Sequence, residues 1–189
     1  MLAPIPSYIT GKGMYATQST WDFKTTLIEL LERTGLGFDT RYRYYQDKFP
    51  DRDGADLARL VCDPVEYFDP DWPLYWASKK DEGRDREQVA TEFMFELDSR
   101  FQRQAKVAIF CFDEAGFGTG INVMRFAQSG KPMLGFYNAG FRKRDVNLSN
   151  VLQLQLEFPH LLTLLQYSSI DQLSAAAEAW LRERISDNG

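Results

Sequence analysis

Along this chain, short apolar runs take turns with stripes in which hydrophobic side chains recur every three to four residues. "SYIT" reads as a first strand, and the "GKG" that follows breaks the run and frees the backbone for close approach. Phe23, Leu27 and Leu31 then keep a helical stripe. Ser19 with Asp22 is a capping-box-like start for it, and Gly35 or Gly37 a stop. From Phe38 to Pro64 the pattern is ambiguous, since "DTRYRYYQDKF" fits an exposed aromatic strand and "DGADLARLV" a short helix. "VEYF", at 65–68, predicts a strand closed by the turn-forming "DPDWP", with Trp72, Tyr75 and Trp76 in that loop.

Val89, Phe93, Leu97 and Phe101 predict a long amphipathic helix, with Glu96 and Arg100 as an i, i+4 pair and Glu92 and Glu96 on one face. "VAIFCF" is too continuously apolar for a half-exposed strand and suits the middle of a parallel sheet covered on both sides. A helix from about Ile121 to Ser129 follows, closed by Gly130, and "PMLGFY" is the next buried strand. After a polar loop carrying Arg142, Lys143 and Arg144, "VLQLQLEF" fits either periodicity, with the helix favoured by Leu148, Leu152 and Leu156. "LLTLLQY" supplies the last strand, and Ser168 with Asp171 opens a closing helix that turns Leu173, Ala177, Trp180 and Leu181 inward.

This order of β and α elements predicts one α/β domain over residues 1–189, with a doubly wound, mainly parallel five-stranded sheet of flavodoxin or Rossmann type and helices on both faces. Ligand contacts are then expected at the carboxyl ends of the strands, which carry Thr10 to Gly13, Asp69, Asp113 to Thr119, and Tyr137 with Asn138. A formal charge of -5 and a pI near 5.0 argue against a polymeric nucleic-acid partner, whose phosphates need clustered Lys and Arg. No apolar run approaches the ~18 residues that span a bilayer and the start lacks a signal-peptide pattern, so a cytoplasmic protein with no membrane partner is expected. Cys111 reads as a small buried hydrophobe, and a disulfide with Cys62 is disfavoured. With His160 the sole histidine and no Cys/His spacing for zinc, no metal and no cofactor are expected.

The candidate chemistry gathers in "FCFDEAGFGTGIN", where an apolar strand ends in Asp113 and Glu114 and a helix follows the glycines. The glycines allow a sharp turn and present amide N–H groups at a helix start, and Asn122 on the first turn can donate and accept hydrogen bonds in the crevice. "GFGTG" matches neither the P-loop nor the GxGxxG fingerprint. With its surroundings, the region resembles the nucleoside 2-deoxyribosyltransferase family and its nucleotide N-hydrolase relatives, which look distantly like TIR-type NAD-cleaving domains. Tyr8-Ile9-Thr10-Gly11 stands where the family ends its first strand with a tyrosine and small residues, and "VEYFDP" precedes a polar aromatic loop and a helix leading into "AKVAIFCFDE". "GTGINVMRFAQSGKPMLGFY" follows the family's Gly-Thr, small-residue helix and Gly-Lys-Pro without gaps. The family's glutamate position is Asn122 here, and the glycine two residues beyond it is Met124. An amide can neither form a glycosyl ester nor act as a general base at neutral pH.

Three readings follow. The first is an N-glycosidase or deoxyribosyltransferase in which Asp113 and Glu114, as candidate catalytic residues, stand in for the missing glutamate. The second is a non-catalytic module that binds a nucleoside or nucleotide and senses it, with Tyr8, Thr10, Gly11, Gly118, Thr119, Asn122 and Asn138 as substrate-binding candidates and Arg142 to Arg144 available to a phosphate. The third is an interaction protein that docks through "DTRYRYY" and the tryptophan segment. The resemblance also implies a homo-oligomer in which neighbouring chains complete each site, with "NLSN" at the contact.

Overall fold

The computed structural model describes residues 3–12, 16–62, 69–138 and 148–187. Five strands, β1 (Ile5–Thr10), β2 (Gly37–Asp39), β3 (Val107–Cys111), β4 (Met133–Asn138) and β5 (Leu162–Tyr167), form one all-parallel sheet in the order β2-β1-β3-β4-β5. Among the described residues, eight α-helices pack around it: α1 (Gln18–Thr34), α2 (Thr40–Lys48), α3 (Gly54–Cys62), α4 (Trp72–Lys79), α5 (Arg86–Gln104), α6 (Phe117–Gln128), α7 (Leu148–Glu157) and α8 (Ile170–Asp187). The α/β class and the parallel five-stranded sheet are as the sequence predicts.

The continuous apolar run of β3 has a simple cause. Val107, Ile109 and Cys111 face one core with Phe23, Leu27 and Leu31 of α1 and Leu173, Trp180 and Leu181 of α8. Ala108, Phe110 and Phe112 face a second core with Val89, Phe93, Leu97 and Phe101 of α5 and Val123 and Phe126 of α6. Burial on both faces removes the need for alternation. The two free cysteines, Cys62 and Cys111, are both buried.

Several elements differ from the sequence reading. The strand expected at 65–68 lies outside the described residues, as do Arg142, Lys143 and Arg144 of the polar loop and Asn147 of "NLSN". On the side of β1 away from β3, the described sheet ends in Gly37–Asp39, three residues and too short for a period-two signal. A Cβ on Gly37 would sit 2.5 Å from the Ile5 carbonyl oxygen, so only glycine lets these strands approach. The ambiguous "DTRYRYY" is helical from Thr40, because Asp39 caps α2 by accepting from the N–H groups of Arg41 and Tyr42 at 3.0 and 2.9 Å. Trp72, Tyr75 and Trp76 belong to α4 rather than to a loop. Helix α1 begins at Gln18, with Thr17 rather than Ser19 at the cap, and ends at Gly35 in the left-handed region (φ 65°). At α8, Ser169 rather than Ser168 caps, accepting from Gln172 N–H at 3.2 Å.

Candidate functional site

The strand register decides where chemistry can converge. Thr10 at the tip of β1 stands opposite Phe110 near the tip of β3. The chain leaves β1 for β2 on one side and β3 for β4 on the other, so these neighbours diverge and open a crevice at a topological switch point. A Cβ at Gly11 would come 2.9 Å from the Cys111 Cβ, and its absence lets the two tips lie together.

A cavity of about 530 Å³ fills that crevice. Tyr8, Thr10 and Gly11 of the β1 tip line it together with Gly118, Thr119 and Asn122 of α6. Helix α6 starts at Phe117, four residues before the expected Ile121, so Gly118 and Gly120 lie in its first turns. The turn into α6 does not require glycine: none of Gly116, Gly118 and Gly120 has a positive φ, and an added Cβ would meet open space at each. Gly118 adds no side chain to the cavity that it lines. Tyr45, Phe95 and Phe101 add aromatic wall, and Lys12, Arg41, Arg125 and Asp98 add charge.

Asp98 is the residue that sequence reasoning missed. It lies on α5, flanked in sequence by the buried Leu97, and its carboxylate is the hub of a polar network. The Tyr8 hydroxyl donates to Asp98 Oδ1 at 2.6 Å, and Gln102 Nε2 donates to Oδ2 at 2.6 Å and to Asn122 Oδ1 at 2.9 Å. Asn122 Nδ2 in turn reaches the Tyr8 oxygen at 3.3 Å. Burial, together with the charge of Asp98 and its hydrogen bond, raises the Tyr8 pKa although Arg41 opposes the shift, so the phenol remains a donor. The signal for this site was the i, i+4 pairing of Asp98 and Gln102, two polar residues bordering the buried stripe of Leu97 and Phe101. Glu92 binds Arg84 and Glu96 accepts from the Tyr75 hydroxyl at 3.0 Å; neither lines the cavity.

Asp113, Glu114 and Asn138 lie outside the cavity lining. Asp113 is buried and accepts from the Asn138 N–H at 2.6 Å and from the Tyr167 hydroxyl, tying the end of β3 to β4 and β5. Burial raises its pKa against those hydrogen bonds. Glu114 accepts from the hydroxyls of Thr20 (2.6 Å) and Thr17 (2.7 Å) and from Thr17 N–H (2.9 Å), with Lys12 Nζ at 3.4 Å. It therefore clasps the start of α1 to the end of β3, satisfying the N–H that Thr17 presents at the cap.

Burial works against ionisation of Glu114, but Thr20, Thr17 and Lys12 outweigh it and bring the carboxyl from 4.5 down to about 2. A depressed carboxyl adds stability that is full above its unfolded pKa and lost as pH falls through the folded one. Glu114→Gln is expected to lower stability by about 1–2 kcal/mol at pH 7, with the gap to wild type closing between roughly pH 4.5 and pH 2. Urea unfolding at pH 7, 4 and 3 measures this, and a gap that ignores pH would contradict the clasp.

Two buried cations support the crevice, Arg41 from its lining and Lys24 from outside it. Arg41 stacks its guanidinium 4.7 Å from the Tyr8 ring centroid and donates to the Ile9 carbonyl, while its Nε has no hydrogen-bond partner among the described residues. Lys24 donates to the carbonyls of Lys12 (2.8 Å) and Cys62 (3.4 Å), and burial first, then the charge of Arg41, pulls its pKa down to about 8. It fixes the turn that places Gly11 and Lys12 at the cavity.

A second hollow of about 890 Å³ lies between α6 and α7 with a mainly apolar lining that includes Phe117, Ile121, Met124 and Leu154. It lacks the converging network of the first. Among the described residues no group of His, Cys, Asp and Glu could hold a metal ion, and no helix is long and apolar enough to cross a membrane.

Sheet order, helices and crevice together define a Rossmann-like α/β protein with a largely apolar cavity, carrying one polar network, at its β1/β3 switch point. No protein-family model and no curated protein matches the chain. The likeness to the nucleoside 2-deoxyribosyltransferase family therefore rests on the sequence motifs alone.

Proposed function

We propose that the cavity binds a nucleoside or nucleotide and that Asp98, rather than Asp113 or Glu114, is the carboxylate offered to it. The observation that carries this reading is the meeting of Tyr8, Thr10 and Gly11 with Gly118, Thr119 and Asn122 around one hollow that also contains Asp98. Its volume of about 530 Å³ falls in the usual range for small-molecule sites. Phe95, Phe101 and Tyr45 give a flat ring apolar surface, the Tyr8–Asp98–Asn122 group suits sugar hydroxyls, and Lys12 and Arg125 suit a phosphate.

Binding without turnover is the better supported form. N-glycosidic cleavage of the glycosidase kind uses two carboxyl groups, one to trap or stabilise the sugar cation and one to handle the proton. Among the described residues that line the cavity Asp98 is the one carboxylate, with an amide at position 122. A slow hydrolase working through Asp98 is the second reading, favoured by the placement of that carboxylate inside the hollow.

Thermal-shift screening with nucleosides, nucleoside monophosphates and NAD tests the proposal, with chromatography for released base run in parallel. A ligand at one hundred times its Kd should add about 2.7 kcal/mol, or roughly 5–10 °C in Tm for a domain of this size. No shift with any member of the panel refutes the binding reading. Free base that disappears in Asp98→Asn would establish the second one.

A further inference from the structure

We infer that the cavity recognises a ribo-sugar by its vicinal diol and discriminates against the 2′-deoxy form, with Gln102 as the residue that sets this preference. The inference rests on the nucleoside reading above and deepens it.

The argument is a count of donors and acceptors at the Asp98 hub. Each oxygen of an ionised carboxylate has two acceptor directions. Asp98 Oδ1 uses one for the Tyr8 hydroxyl and Oδ2 uses one for Gln102, which leaves one on each oxygen for a ligand. Gln102 Nε2 has three acceptors in reach for two N–H groups: the Tyr8 oxygen is at the limit of reach at 3.5 Å, and the two short contacts, to Asp98 Oδ2 at 2.6 Å and Asn122 Oδ1 at 2.9 Å, take both N–H groups. That second bond fixes which way the Asn122 amide faces: its oxygen is held by Gln102 and its Nδ2 is turned to the Tyr8 oxygen, with one N–H left over. The network therefore asks a ligand for two donors and one acceptor within the span of one carboxylate and one amide.

Two adjacent hydroxyl groups meet that demand, because each donates one hydrogen and also accepts. Removing the 2′-hydroxyl leaves one Asp98 acceptor desolvated and unfilled, and a site built to bond a hydroxyl rejects the analogue lacking it more strongly than an apolar pocket rejects a missing methylene. Gln102 is only 6% exposed, so its part is to hold Asp98 and Asn122 in place rather than to meet the ligand over a broad surface. Tyr8, 1% exposed and packed on Phe126 with ring centroids 5.6 Å apart, holds the other side of the hub.

Isothermal titration with the four ribonucleosides and their 5′-monophosphates, each against its 2′-deoxy counterpart, tests the inference in the wild-type protein. The ribo member should bind about 10- to 100-fold more tightly than its deoxy partner. In Gln102→Ala the ribo affinity should fall toward the deoxy value while the deoxy affinity holds, and a circular-dichroism melt checks that the variant is folded. Equal affinities within wild-type pairs would overturn the diol inference and leave the nucleoside reading standing. Binding that follows the base and ignores the sugar would overturn it too, by moving the Asp98 hub to a base edge. A preference that survives in folded Gln102→Ala would remove Gln102 from its role. Failure of every compound to bind would refute the nucleoside reading itself, and the inference with it. The wild-type comparison needs no variant to fold.

Discussion

Asp98→Asn should weaken binding of any ligand found for the cavity by about 10- to 100-fold while changing folding stability by only about 1–2 kcal/mol. The substitution keeps the size of the side chain and takes away the charge. It also replaces one acceptor oxygen with an NH2 group, and both oxygens are committed, one to the Tyr8 hydroxyl and one to Gln102. The fold can adapt, because the remaining amide oxygen can keep its bond from Gln102 while the Tyr8 hydroxyl hydrogen turns away. The ligand cannot, since it loses a charged acceptor and meets a donor in its place. Isothermal titration gives the affinity and urea unfolding the stability, so the two effects separate. Asp113→Asn supplies the contrast. Its carboxylate joins Asn138 N–H to the Tyr167 hydroxyl away from the cavity, so stability should suffer and binding should not. If Asp113→Asn loses binding and Asp98→Asn keeps it, the placement of the ligand at the Asp98 hub is wrong.

Much of the architecture was legible because its periodicities are strong. The run "VAIFCF" announced a strand covered on both sides, and its odd and even positions do divide between two cores. The same parity explains what was missed. Tyr8 and its register partner Ala108 belong to the core built with α5, whereas Cys111 belongs to the opposite core. Asp113, two positions past Cys111, meets Tyr167 of that opposite core, so a carboxylate at the strand end was legible while its side of the sheet was not used. Asp98 was hidden for another reason. An acidic residue on a long helix is ordinarily solvated, and only its i, i+4 pairing with Gln102 beside Leu97 and Phe101 marks it as facing inward. Helix α2 was obscured by its tyrosines, which favour strands locally. Its helical state comes from the Asp39 cap and from burial of Tyr42 and Tyr45, both of which depend on where β2 ends.

Gly135→Ala should lower stability by about 2–3 kcal/mol and Tm by roughly 4–12 °C, a large loss for the addition of one methyl group. Gly135 lies within β4, where a glycine would ordinarily weaken a strand and an alanine would be neutral or helpful. Here its Cβ would sit 2.3 Å from Phe112 Cε2, 3.1 Å from Cδ2 and 3.3 Å from Leu164 Cδ1. The Phe112 ring is 2% exposed and lies parallel to Phe110 with centroids 5.7 Å apart, so it cannot retreat into the core without breaking that stack. The conflict is therefore local to one pair, and a double-mutant cycle isolates it. Phe112→Leu should be destabilising by itself, yet Gly135→Ala combined with Phe112→Leu should be more stable than the sum of the two losses by about 1 kcal/mol or more. Phe112 also lines the hollow between α6 and α7, which offers the ring one way out. An unchanged Tm in Gly135→Ala would mean that the ring takes that way, and that the second core is looser around Phe112 than its burial implies.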